Sequence, residues 1–221
     1  MRDLLQSNLA KRVASVAVLA PIFILAVYMG GIFFYLAVTA ALALSFNEWM
    51  NMALKSSTLR RDMIIGSVYL SVAFIAFIFI RMGMPGGGVL TFALLGTIWA
   101  CDIGAYFTGK KIGGPKMAPT LSPNKTISGL LGGMTCSAIV MMLFDLQFAL
   151  FGHMWLAGAL GLLLAGVGQV GDVMISYQKR RVGVKDTGNL IPGHGGILDR
   201  IDSLLLAAPV FMICLWMIHG W

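Results

Sequence analysis

Nine acids in a 221-residue chain leave few groups able to hold a cation, and four of them fall in one stretch. Gly171 to Ser203 reads GDVMISYQKRRVGVKDTGNLIPGHGGILDRIDS and also carries five of the 16 Lys and Arg residues. If the helix entering this stretch continues, Asp172, Ser176 and Lys179 recur at i, i+4 and i+7 and share one face. A carboxylate, a hydroxyl and an ammonium on one face suit a phosphate–metal group. Magnesium takes oxygen ligands and often binds through one or two carboxylates plus substrate phosphates. The competing reading of Asp172 is an interfacial aspartate that meets water. Asp199 and Asp202 flank Arg200 at the start of the last apolar run. Acids at a helix start are favourable as simple caps. The preceding PGHGG adds a second reading. Gly193, Gly195 and Gly196 allow a ligand to approach the backbone closely, and amides at a helix start can hold phosphate oxygens.

Lys179, Arg180, Arg181 and Lys185 can fix topology, pair with anionic headgroups or neutralise a polyphosphate. Lys185 beside Asp186 implies positioning as well as attraction. His194 suits a phosphate donor or a structural hydrogen bonder, because a phosphate nucleophile is already ionised near neutral pH. A second polar loop, Thr108 to Thr126 (TGKKIGGPKMAPTLSPNKT), adds Lys110, Lys111, Lys116, Lys125, Ser122 and Thr126. Its glycines suggest a phosphate cradle, but GxxxxGK[ST] is absent. Asp102 lies four residues before Tyr106 and reads either as lining a polar cavity or as a helix-packing hydrogen bonder.

The elements that position these groups are apolar. Hydrophobic residues make up 58% of the chain and charged residues 11%, against about 25% charged in a soluble domain. Mean hydropathy is +0.87. The runs 13–30, 31–46 with its flank to Trp49, 63–80, 89–107, 127–144, 148–175 and 204–218 are too long for ordinary strands and approach the length of a membrane span. The expected fold is therefore an all-α, polytopic membrane helical bundle with about seven transmembrane helices. Residues 1–12 read as a basic start with room for an interfacial helix. Glycines at 129, 132 and 133 predict close helix contact in the fifth run.

With the N-terminus inside, segments 1–12, 47–62, 108–126 and 176–202 hold 15 of the 16 basic residues, and only Arg81 falls outside. That asymmetry predicts a cytoplasmic N-terminus and places both polar loops where nucleotides are. Because the net charge of +7 sits between apolar runs, it serves topology rather than nucleic acid. Cys101, Cys136 and Cys214 form no metal-binding spacing.

The polar stretch resembles the signature of the phosphatidate cytidylyltransferases, also called CDP-diacylglycerol synthases. Ser176, Lys179-Arg180, Lys185-Asp186, Pro192 to Gly196 and Asp199-Arg200-Ile201-Asp202 fill every fixed position of that pattern. A second region agrees through Asp102, Ala105-Tyr106, Gly109-Lys110, Ser122-Pro123, Lys125-Thr126 and Gly129. Asn124 stands where many members have lysine, and Val173 and Met174 also depart from the usual residues. The first 85 residues match only as generic spans.

The resemblance implies transfer of CMP from CTP to phosphatidate, giving CDP-diacylglycerol and pyrophosphate with magnesium; two anionic substrates leave room for a second cation such as K+. It implies a homodimer in the lipid bilayer of the cell (inner) membrane. Asp172 and Asp199 become metal-site carboxylates. Lys179, Arg180, Lys185 and Asp186 line the nucleotide–phosphate site, supported by His194, Arg200 and Asp202, with Ser122, Lys125 and Thr126 from the neighbouring loop. Residues 1–88 form N-terminal transmembrane helices and 89–221 the catalytic region, with cytoplasmic loops 108–126 and 176–202. A CTP-dependent lipid-alcohol kinase, of the polyprenol or phytol kind, is the rival enzyme, and a transporter the non-enzyme rival.

Overall fold

A computed structural model describes residues 17–191 and 195–220. The basic start, the first residues of the first apolar run, Pro192 to His194 and Trp221 lie outside the described residues. The helices are α1 (Ala17–Met29), α2 (Gly31–Ala53), α3 (Leu59–Ile78), α4 (Gly87–Ile112), α5 (Ile127–Phe148), α6 (Met154–Arg181) and α7 (Leu198–His219). A π-helical turn, Phe79–Gly83, extends α3, and two short strands, β1 (Lys116–Ala118) and β2 (Ser122–Thr126), join α4 to α5. Among the described residues, six helices are long and apolar enough to cross a membrane, α2 to α7. The protein is an all-α polytopic bundle of the expected kind.

Large apolar side chains remain exposed on these helices, among them Ile32, Ile75, Leu131, Leu143 and Trp155. A bundle that must face lipid keeps such residues on its outside, because the hydrocarbon is as apolar as they are. Gly30, at φ 67, makes the break between α1 and α2 that the double glycine predicts.

Three boundaries differ from the sequence reading. First, α2 runs on to Ala53 and carries Glu48 and Trp49 as helical residues. Second, α5 continues through Asp145, whose carboxylate accepts the Phe151 N–H at 2.7 Å in the turn that follows. That bond satisfies a buried backbone donor, so the reversal falls after Phe148 rather than at 145–147. Third, the 108–126 segment is not all loop. Its start prolongs α4 to Ile112, and its end pairs as an antiparallel hairpin with Lys116 opposite Thr126 and Ala118 opposite Ser122.

The chain clusters into two compact units. One comprises the described residues up to Ser71 with those of Gln178–Ile201, and the other comprises Val72–Tyr177 with the described residues of Asp202–Trp221, so the boundaries fall inside α3, α6 and α7. In the second unit α4 and α5 pack closely through the predicted glycines. A Cβ on Gly133 would lie 2.7 Å from the Cys101 carbonyl oxygen, and one on Gly129 would lie 2.9 Å from that of Ala105. Small residues at such a crossing let two backbones approach where lipid supplies no hydrophobic drive.

Candidate active site

In the unit that contains the hairpin, α6 continues as a helix past Asp172 to Tyr177. Gln169, Asp172 and Ser176 therefore stand at i, i+3 and i+7 on one face. The hairpin delivers Lys125 to that face. Its ammonium donates to Gln169 Oε1 at 2.8 Å and forms an ion pair with Asp172 Oδ2. Ser176 Oγ donates to the other carboxylate oxygen, Asp172 Oδ1, at 3.2 Å. Gln169 is buried, and its Nε2 donates to Cys101 Sγ at 3.7 Å. Lys125 and Asp172 remain 24% and 22% exposed, so this ion pair stays accessible to an incoming group.

Local sequence fixes the hairpin that brings Lys125. Thr126 is the N-cap of α5, its hydroxyl accepting the Gly129 N–H at 3.1 Å, the ordinary role of threonine at a helix start. The Ile127 N–H donates to Pro115 O at 3.0 Å, closing the base of the hairpin. Ser128 Oγ lies 3.1 Å from Thr126 Oγ1 and also donates to the Gly113 carbonyl. Thr126 is thus engaged in structure as well as available by motif. Ser122 opens β2. Asp102 lies on α4 and is exposed, as is Tyr106, over whose ring the Lys110 ammonium sits at 5.6 Å.

In the other unit Asp199, in the first turn of α7, is the centre. Lys179 Nζ donates to its Oδ1 at 2.6 Å, and the two side chains are 10% and 5% exposed. Oδ2 accepts from Thr187 N at 2.8 Å, Thr187 Oγ1 at 2.9 Å and Gly196 N at 3.1 Å. A buried charge is tolerable only when paired and hydrogen-bonded, and four donors achieve that here. Gly195 and Gly196, the described glycines of the PGHGG run, lie against this carboxylate. Ile191 N donates to Gly195 O at 2.9 Å. Gly195 has φ +79, and a Cβ there would meet Asp199 Oδ2 at 2.8 Å, so its lack of a side chain is required twice over.

Lys185, Asp186, Arg180 and Arg200 are exposed on the same unit, with Arg180 Nη1 donating to Val184 O at 3.1 Å. Asp202 lies one turn into α7, in the hairpin's unit. Its Oδ1 accepts Ser203 N–H at 2.8 Å, and its carbonyl packs against Gly171. His194 lies outside the described residues.

Four residues that the sequence reading passed over carry much of this geometry. Besides Gln169, Thr187 bonds Asp199 through both backbone and hydroxyl. Glu48, from α2, accepts Ile197 N at 2.9 Å, Leu198 N at 2.9 Å and Thr187 Oγ1 at 2.8 Å. Asp62 accepts Arg181 Nη1 at 3.1 Å and Nη2 at 2.8 Å, and Arg181 also donates to Ser56 at 3.0 Å and to Thr58. An acid at the end of an apolar run is a signal in itself. For Glu48 that signal was available, while its partners were not.

Among the described residues, no three His, Cys, Asp or Glu side chains gather as a complete metal cage. The donor chemistry fits a cation completed by substrate oxygens. Around Lys125 the ammonium already stands as a positive charge among a carboxylate and an amide oxygen, the hard donors that magnesium takes.

The family model described as "Cytidylyltransferase family" matches residues 56–218. The chain is 34% identical to the phosphatidate cytidylyltransferase of Rickettsia bellii (strain RML369-C) over 95% of its own length and 91% of the relative's. It is 32% identical to that of Rickettsia conorii (strain ATCC VR-613 / Malish 7) over 96% and 94%. The match to the phosphatidate cytidylyltransferase of Brucella suis biovar 1 (strain 1330) is 40% identical over 67% of this chain, but spans 54% of that longer relative. With the family model matched over residues 56–218 and relatives matched almost end to end, the chain belongs to the phosphatidate cytidylyltransferase family of nucleotidyltransferases.

Proposed function

We propose that the protein transfers CMP from CTP to phosphatidate, releasing pyrophosphate and forming CDP-diacylglycerol. The observation that carries this reading is that Asp172 and Asp199, the two acids to which the resemblance gives a metal role, each hold a lysine ammonium inside their own unit. Both carboxylates therefore face a cationic group. A phosphate oxygen of phosphatidate attacks the α phosphorus of CTP. The bond from that phosphorus to the bridging oxygen of the β phosphate breaks, and the electron pair leaves with pyrophosphate. The attacking phosphate is already ionised, so no side chain need act as its base.

Phosphoryl transfer relies on positioning and charge stabilisation, and the residues divide accordingly. Lys179, Arg180, Lys185 and Arg200 offset phosphate charge, joined by Lys125, Ser122 and Thr126 of the hairpin. Asp186, Asp202, His194 and Asp102 orient these groups or the substrates. Asp172 and Asp199 are the proposed magnesium carboxylates, each argued within its own unit. Magnesium, when bound, supplies positive charge that gathers the CTP phosphates. The N-terminus and both polar segments face the cytoplasm, as the basic residues between spans support. The acyl chains stay in the bilayer, and the homodimer implied by the family resemblance belongs to the same proposal.

The test is purified protein in detergent with CTP, phosphatidate and magnesium. Magnesium-dependent CDP-diacylglycerol with one pyrophosphate per turnover is expected. Release of CDP together with a phosphorylated lipid alcohol favours the kinase reading instead, and solute uptake without nucleotide turnover favours a transporter.

A further inference from the structure

We infer that Glu48 is a positioning residue of the transfer reaction, acting through Thr187 and the first turn of α7 to hold the Asp199 carboxylate and, with it, the Lys179 ammonium. The inference rests on the proposed cytidylyl transfer. Glu48 lies on α2, outside the 56–218 span that matches the family model, in the part of the chain that reads as generic membrane spans.

Glu48 is 6% exposed, and both its oxygens are engaged. Oε1 accepts Ile197 N, while Oε2 accepts Leu198 N and the Thr187 hydroxyl. Leu198 opens α7. The carboxylate thus satisfies two amides beside a helix start, where donors lack intrahelical partners, and puts negative charge at the positive end of the helix dipole. Capping alone would make it a stability residue. Two further contacts carry it into the site.

First, Thr187 Oγ1 lies 2.8 Å from Glu48 Oε2 and 2.9 Å from Asp199 Oδ2. A hydroxyl has one proton, so it serves one carboxylate at a time and couples the two. The Thr187 backbone N–H meanwhile donates to Asp199. Second, the loop is folded directly onto Glu48. A Cβ on Gly196 would lie 2.2 Å from Glu48 Oε2, and one on Gly188 would lie 2.9 Å from Oε1. Gly196 N is itself a donor to Asp199. Each group that Glu48 holds is one hydrogen bond, or at most two residues, from Asp199.

Replacing Glu48 with glutamine keeps the shape but substitutes an NH2 for one accepting oxygen. At least one donor, the Ile197 or the Leu198 amide, then faces another donor, and the hold on the start of α7 weakens. The test uses the full chain in lipid nanodiscs, with E48Q, T187V, T187S and the E48Q/T187V pair.

In E48Q, kcat per folded protein is expected to fall about tenfold or more, as for other supports of ligating groups, with the KM for phosphatidate changed less than about twofold. The double variant should lose little beyond the worse single one, because both act through the same hydroxyl. T187S should recover most of the T187V loss. Unchanged kcat in folded E48Q, or multiplicative losses in the double variant, overturns the inference. If E48Q does not fold, the T187V and T187S pair decides, and equal activities there overturn it. If the wild-type protein makes no CDP-diacylglycerol, the proposed function fails. Positioning is then read from amide hydrogen exchange, where faster exchange at Ile197 and Leu198 in E48Q supports it and unchanged exchange overturns it.

Discussion

Asp172 and Asp199 carry the same charge, sit on neighbouring helices in the sequence and each hold one lysine, yet their surroundings differ in kind. Asp172 receives a lysine from a short hairpin and a hydroxyl at 3.2 Å, and both members of its ion pair are more than a fifth exposed. Asp199 is 5% exposed and accepts from four donors, three of them on one oxygen. A carboxylate with few and partly hydrated partners can exchange them for an incoming ligand at small cost. A carboxylate with a complete buried shell instead fixes the groups around it. Under the proposed function, this difference suits Asp172 to capture and Asp199 to architecture as well as to charge.

Breaking Asp199 should therefore produce the largest effect. D199N leaves the Lys179 ammonium buried without its counter-ion, and removing one partner of a buried pair costs about 3–5 kcal/mol. We expect turnover to be nearly abolished, by about 10²-fold or more, together with a clear drop in thermal unfolding temperature in detergent. D172N should abolish turnover to a similar degree while changing stability by about 1 kcal/mol or less, because a partly exposed ion pair contributes little. Turnover measured alongside unfolding separates the two. Equal stability losses would erase the distinction, and near-normal turnover in either variant would refute its metal role. The smallest effect belongs to S176A, which removes one bond to Asp172 worth about 0.5–1.5 kcal/mol and should lower kcat only a few-fold.

Much of this was legible in the residues themselves. The i, i+4 placement of Asp172 and Ser176 required only that α6 continue, and it does; Lys179, expected with them, pairs with Asp199, and Asp172 takes its lysine from the hairpin. The glycines at 129 and 133 pack against α4 as their small size predicts. The hairpin was not legible, because its strands have three and five residues and contain the lysines and proline typical of a loop. Their pairing depends on contact with each other rather than on a repeating pattern.

Glu48 and Asp62 show the other limit. Glu48 meets Thr187 and Leu198 across 139 and 150 residues of sequence, and Asp62 meets Arg181 across 119. Each acid is visible as a charge beside an apolar run, but nothing local names its partner. Trp49 sharpens the point. It reads as the flank of an apolar run, yet its Nε1 donates to the Asp62 carbonyl at 2.8 Å and its ring fills the space beside Gly66. The stretch that looks most generic therefore supplies the carboxylates that hold both ends of the basic segment.

The most direct test of the central claim follows the two ends of CTP separately, with label on the α phosphorus in one reaction and on the γ phosphorus in another. Cytidylyl transfer places the α label in the lipid product and the γ label in pyrophosphate. Lipid that carries the γ label, with the α label retained in CDP, would contradict it.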